Sequence, residues 1–200
     1  MEKIERIKKI EKLQYPVGDG AIWIIIYIEL ITFGLFFMGF AYTRMENREL
    51  FNNSQLLLDP KIGFINTLIL LSSSYFVAKA VWLAKNSTQK EIEQKGGFSL
   101  LVAIFLGGFF LVLKLVEFID KYQNGINLST NSFFMFYFLL TMFHFMHIVL
   151  GLIILINLYN NTQLGLYTNT EHKGLQTGAS YWHMVDLLWI VLFPLVYIIR

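Results

Sequence analysis

Residues 133–158 read FFMFYFLLTMFHFMHIVLGLIILINL. This run of 26 residues contains no Asp, Glu, Lys or Arg, and its polar chemistry is confined to Tyr137, Thr141, His144, His147 and Asn157. A helix needs ~20 apolar residues to cross the hydrocarbon core of a bilayer, so the segment reads as a membrane span. A barrel strand is excluded because such strands alternate apolar and polar residues over segments of ~10.

Four more blocks of the same kind flank it. Residues 21–42 carry one charge, Glu29; residues 62–82 carry one, Lys79; residues 98–119 carry Lys114 and Glu117; residues 179–199 carry His183 and Asp186. Lipid leaves the backbone no partners outside the segment, so helices are the expected form. The expectation is an all-α integral membrane protein with five transmembrane helices. The whole chain, 1–200, forms one membrane domain, and residues 1–20 form a tail. The first block is too long for a signal-peptide apolar region and lacks a small-residue cleavage site after it, so it is expected to stay as a helix.

Composition narrows the function classes. The chain is 56% hydrophobic and 15% charged, with a net charge of +2 and no cysteine. A soluble domain carries about a quarter charged residues, so a soluble enzyme is disfavoured. The basic residues form no stripe, which argues against nucleic-acid binding. The lack of cysteine excludes disulfides, thiolate metal sites and iron–sulfur clusters.

Basic residues set the orientation. Ten lie in the N-terminal tail, at Lys79, and in the second and fourth loops; five, namely Arg44, Arg48, Lys61, Lys121 and Arg200, lie on the other side. The N-terminus is therefore predicted to be cytoplasmic and the C-terminus periplasmic, in the cell's inner (plasma) membrane. Ile4, Ile7, Ile10 and Leu13 recur at helical spacing among charges, which suits an interfacial helix or a frayed polar tail equally.

Ionisable groups inside the bilayer are costly and mark function or pairing. His144 and His147 stand at i and i+3, as do His183 and Asp186. With the fourth helix running inward and the fifth outward, Glu29, His147, His183 and Asp186 share the cytoplasmic half of the membrane and are expected to face one another. Spacing of this kind is reminiscent of carboxylate–histidine metal sites in bundles, but the full ligand set is missing, and interhelical hydrogen bonding is the simpler reading. No metal is expected. Lys114 and Glu117, again i and i+3, are expected to pair near the interface with the lysine snorkelling outward. Trp23 and Trp82 suit interfacial belts, while Trp182 suits packing or a lipid head group. Ser72, Ser73 and Ser74 permit close helix approach.

Four segments together resemble subunit III of the haem–copper oxidases (the cytochrome c oxidase subunit 3 family). They are Trp23-Ile-Ile-Ile-Tyr-Ile-Glu29, Asn66-Thr-Leu-Ile-Leu-Leu-Ser-Ser-Ser74, Phe133-Phe134 with Thr141-Met-Phe-His-Phe-Met-His147 and Gly151, and Tyr181-Trp-His-Met-Val-Asp-Leu-Leu-Trp189. Glu117 falls where the family places a glutamate. Met142 departs from the pattern, standing where the family usually has glycine. The likeness spans the family's five-helix form. Gly18-Asp19, the Lys114–Glu117 spacing and Phe193-Pro194 look most like the branch associated with nitric oxide reductase.

The resemblance implies a non-catalytic subunit without catalytic residues or cofactors of its own. It implies a V-shaped helix arrangement whose cleft holds phospholipid, and a partner, catalytic subunit I, that carries haem with copper or iron. It also implies support of turnover through proton uptake, stabilisation of the active centre or access for an apolar gas. Glu29, His147, His183, Asp186 and Trp182 are the expected polar, lipid-facing cleft. Two rival readings remain open at this point: a free-standing membrane protein with a His/carboxylate metal site, and a small proton or ion transporter.

Overall fold

The computed structural model describes residues 19–199; the stretch proposed for an interfacial helix, around Ile4 to Leu13, lies outside them. The chain forms α1 (Gly20–Glu46), α2 (Arg48–Gln55), α3 (Pro60–Asn86), a single turn α4 (Gln89–Glu91), α5 (Gly97–Gln123), α6 (Ser132–Gln163) and α7 (Lys173–Phe193). Two π turns interrupt this order, at Ile92–Gly96 before α5 and at Pro194–Ile198 after α7. Among the described residues there is no strand, and five helical segments are long and apolar enough to cross a membrane.

Each span outgrows its apolar block because the capping residues lie beyond it. Asp59 accepts from the Lys61 N–H at 2.8 Å, with Pro60 in the first turn of α3. That proline gives up no bond, since the first N–H groups of a helix have no partner within it. Asn131 caps α6 by accepting from Phe134 N–H at 2.9 Å. The end of α7 is remade by Pro194, whose missing N–H and ring disrupt the regular helix ladder; the chain continues as a π turn that directs Tyr197 into the core.

The five long helices form one connected bundle. α3 and α5 share the broadest contact, α7 packs on α1, α3 and α6, and α1 is the most exposed of the five. Close approach of α3 to α5 rests on Ser73, whose hydroxyl donates across the interface to the Ala103 carbonyl at 2.9 Å. Trp182 projects from α7 between two glycines: a Cβ on Gly107 of α5 or Gly151 of α6 would come within 2.7 Å or 2.9 Å of the indole.

Both ends of the bundle are laced by polar side chains. At one end, Gln55 of α2 donates to the Val196 carbonyl at 2.8 Å, and Asn131 donates to Ser54 at 2.9 Å. α2 seats Phe51 between Phe40 and Phe133, with ring centroids at 5.2 Å and 5.4 Å. At the other end, Gln163 donates to the Glu93 carbonyl at 3.0 Å, and Asp19 N–H donates to Thr177 at 2.8 Å.

Candidate functional site

The polar residues expected to meet in one cleft occupy three separate places. The first joins α1 to α6. His147 Nε2 lies 3.0 Å from Glu29 Oε2, and His147 Nδ1 lies 2.7 Å from the Phe143 carbonyl. A carbonyl can only accept, so Nδ1 carries a hydrogen and donates. The Nε2–Oε2 contact then requires one further proton, held by the carboxyl or by the imidazole. Glu29 and His147 thus form a closely paired dyad inside the apolar span. Glu29 keeps 24% of its side-chain surface open, so the dyad faces the bundle's outer surface. Phe33 and Phe143 pack edge-on against the imidazole at 5.5 Å and 4.8 Å.

The second place joins α7 to α3. His183 Nδ1 shares a hydrogen bond of 2.6 Å with the Ser74 hydroxyl. Asp186, one turn further along α7, is buried, and its Oδ1 has no protein partner.

The third place is the bundle core. His144 makes no hydrogen bond with His147, although Phe33 meets both rings edge-on, at 6.5 Å and 5.5 Å. It stacks on Trp189 at 5.3 Å and meets Phe110 edge-on at 6.1 Å, and neither ring nitrogen has a protein partner. Trp182 is likewise core: it is 1% exposed and held by Gly107 and Gly151. It therefore lines no lipid-facing cleft, contrary to expectation, because only glycine leaves space for an indole at those two crossings.

Lys114 and Glu117 pair as expected, at 3.1 Å, but the lysine does not snorkel. Lys114 is 1% exposed, and its Nζ lies 5.1–5.3 Å from the ring centroids of Phe118, Tyr137, Trp189 and Tyr197. Its Nζ also donates to the Tyr197 hydroxyl. Tyr137 and Tyr197 each donate to Glu117 Oε1 at 2.6 Å, so three donors converge on one carboxylate. A lysine at the centre of a bilayer costs about 3 kcal/mol on insertion scales. Contacts with the surrounding aromatic rings and the charge-assisted bond to Glu117 offset that cost. The sequence reading gave Tyr137 and Tyr197 no role; the available signal was a phenol deep in an otherwise apolar span, which needs a hydrogen-bond partner.

Among the described residues, no three His, Asp or Glu side chains converge to hold a metal ion. The arrangement offers one surface-facing Glu–His dyad, one buried ion pair in an aromatic cage, and bonds that tie helices together.

A model of the family described as "Cytochrome c oxidase subunit III" matches residues 20–200. The chain is 32% identical to cytochrome c oxidase subunit 3 of Synechocystis sp., over 68% of this chain and 55% of that protein. It is 32% identical to the probable cytochrome c oxidase subunit 3 of Rickettsia felis, over 92% of this chain and 70% of that protein. It is 30% identical to the cytochrome bo(3) ubiquinol oxidase subunit 3 of Buchnera aphidicola, over 88% and 91% respectively. The chain thus spans little more than half the length of the Synechocystis relative. Five apolar helices and bacterial relatives of this kind make it a multi-pass inner-membrane protein. Fold and comparisons agree, and the chain belongs to the cytochrome c oxidase subunit III family.

Proposed function

We propose that this chain is the subunit III of a haem–copper oxidase complex, seated beside a catalytic subunit I that carries the haem and metal, with no cofactor or catalytic group of its own. The family match over residues 20–200 carries the reading. The internal chemistry is consistent with it: buried polar groups such as Ser73, Ser74, Gln55 and Glu117 tie helices together, while the Glu29–His147 dyad remains partly open on the bundle surface. A Glu–His dyad in that position suits support of proton uptake by the neighbouring subunit, with phospholipid or subunit I covering its open side. The N-terminus faces the cytoplasm in this reading, as the basic residues predict.

Two of the features that resemble the nitric oxide reductase branch, the Lys114–Glu117 pair and Phe193-Pro194, belong to one unit here. Pro194 opens the π turn that carries Tyr197 to Glu117, and Glu117 pairs with Lys114. We assign the complex to that branch on this ground. The test is purification of the tagged chain from native membranes in mild detergent, followed by a reduced-minus-oxidised spectrum and measurement of oxygen and nitric oxide consumption. Haem at a fixed ratio to the tag is expected, with nitric oxide as the preferred substrate. An intact but haem-free chain in several mild detergents overturns the subunit reading, and consumption of oxygen alone overturns the branch.

A further inference from the structure

The cluster around Glu117 holds chemistry that tying helices together does not use. Tyr137 and Tyr197 both aim their hydroxyls at Glu117 Oε1, each at 2.6 Å, the length of a charge-assisted O–H···O⁻ bond. Tyr137 is 0% and Tyr197 4% exposed. Their rings lie 6.4 Å apart, and the Trp189 ring lies 6.5 Å from that of Tyr197. Three oxidisable rings thus surround one buried carboxylate. A neutral phenol holds its proton until about pH 10, but a phenol that has lost one electron is a strong acid. A buried tyrosine therefore gives up an electron readily only where a base stands ready for its proton. Among the described residues these two tyrosines alone donate to a carboxylate. In most settings protonating Glu117 would strand its partner lysine. Here the rings of Phe118 and Trp189 lie 5.3 Å from Lys114 Nζ and hold the cation by cation–π contact when the carboxyl is neutral.

We propose that Tyr137 and Glu117 form a proton-coupled, one-electron redox site. One electron leaves the Tyr137 ring for the oxidant. The phenolic O–H bond breaks, the proton crosses the 2.6 Å hydrogen bond to Glu117 Oε1, and a neutral tyrosyl radical remains beside a protonated Glu117. Return of one electron sends the proton back. Tyr137 carries the radical rather than Tyr197, because the Tyr197 oxygen also accepts from Lys114 Nζ, and a cation on that oxygen holds its electrons more tightly. The site stores an oxidising equivalent and transforms no substrate. Its oxidant is a one-electron oxidant formed at the haem and metal of the partner subunit. That assignment rests on the subunit III reading; the redox chemistry of the pair does not.

Flash photo-oxidation of the full chain in mild detergent, with a ruthenium tris-bipyridine sensitiser and a sacrificial electron acceptor, tests the pair without any partner. Electron paramagnetic resonance is expected to show a long-lived neutral tyrosyl radical, because a buried radical outlasts those on exposed tyrosines such as Tyr75 and Tyr122. The long-lived signal is expected to form more slowly in D₂O, to vanish in Tyr137→Phe and Glu117→Gln, and to persist in Tyr197→Phe. A long-lived signal undiminished in Tyr137→Phe overturns the proposal, as does its absence from the native chain. Formation unaffected by both D₂O and Glu117→Gln overturns the role of the carboxylate. Should Glu117→Gln fail to fold, Tyr137→Phe keeps the Lys114–Glu117 pair and, with the D₂O comparison, still decides. In the purified complex, hydrogen peroxide is expected to raise the same signal. A complex that contains haem but gives no such signal, while the isolated chain does, overturns the haem-derived oxidant alone; a chain that copurifies with no haem overturns the subunit reading and leaves the photo-oxidation result standing.

Discussion

Removing one partner of the Lys114–Glu117 pair strands the other in a buried aromatic cage. Lys114→Met or Glu117→Gln alone is expected to cost about 3–5 kcal/mol of stability, because breaking a buried pair leaves an uncompensated charge or its donors unmatched. The double variant Lys114→Met/Glu117→Gln is expected to recover most of that loss, since paired removal is often near neutral. Unfolding midpoints of the three variants in a mixed-detergent titration check this, and equal damage in the double and single variants would refute it. At this scale the sequence showed the i, i+3 spacing and hence the pair. It did not show that the pair is enclosed, because the enclosing rings come from α5, α6, α7 and the π turn. Snorkelling and caging compete for the same side chain, and only the neighbours decide between them.

The helices themselves were readable from apolar length, to within a few residues at most ends. Their true ends follow caps such as Asp59 and Asn131, which lie outside any hydropathy block. α2 was missed for a physical reason: it is short and polar overall, and it is held by Phe51 and Gln55 reaching into distant parts of the bundle. The contacts of α7 were equally hidden, since an indole and two glycines separated by dozens of residues form one packing unit. Gly151→Ala places a methyl 2.9 Å from the Trp182 ring. It is expected to destabilise the bundle by about 1–3 kcal/mol through overpacking. Trp182→Phe in the same chain shortens the ring and is expected to restore part of the loss. Thermal aggregation midpoints in detergent measure both effects; a Gly151→Ala chain as stable as the native one would contradict the packing account.

For the whole molecule, five apolar blocks fixed the number of spans, and the unequal distribution of ten and five basic residues predicts the side on which each loop lies. The absence of cysteine makes the topology directly testable. Lys90→Cys is expected to react with a membrane-impermeant maleimide only after cells are opened, and Asn127→Cys in intact spheroplasts. The reverse pattern would invert the proposed orientation. The site residues were legible as polar groups in lipid, and Glu29 and His147 do meet. His183 instead bonds Ser74, and His144 turns into the core. Helical spacing places a residue on a face, but it does not say which helix that face meets.

The sequence by itself determined that this is a five-span helical membrane protein with a few ionisable groups in its spans, because the bilayer demands length, apolarity and internally bonded backbone. Its motifs also carried the family resemblance. Tertiary structure alone decided which polar groups became partners and that Lys114 is caged rather than snorkelled. These outcomes depend on helix rotation and on side chains contributed from far along the chain, and hydropathy carries no record of either.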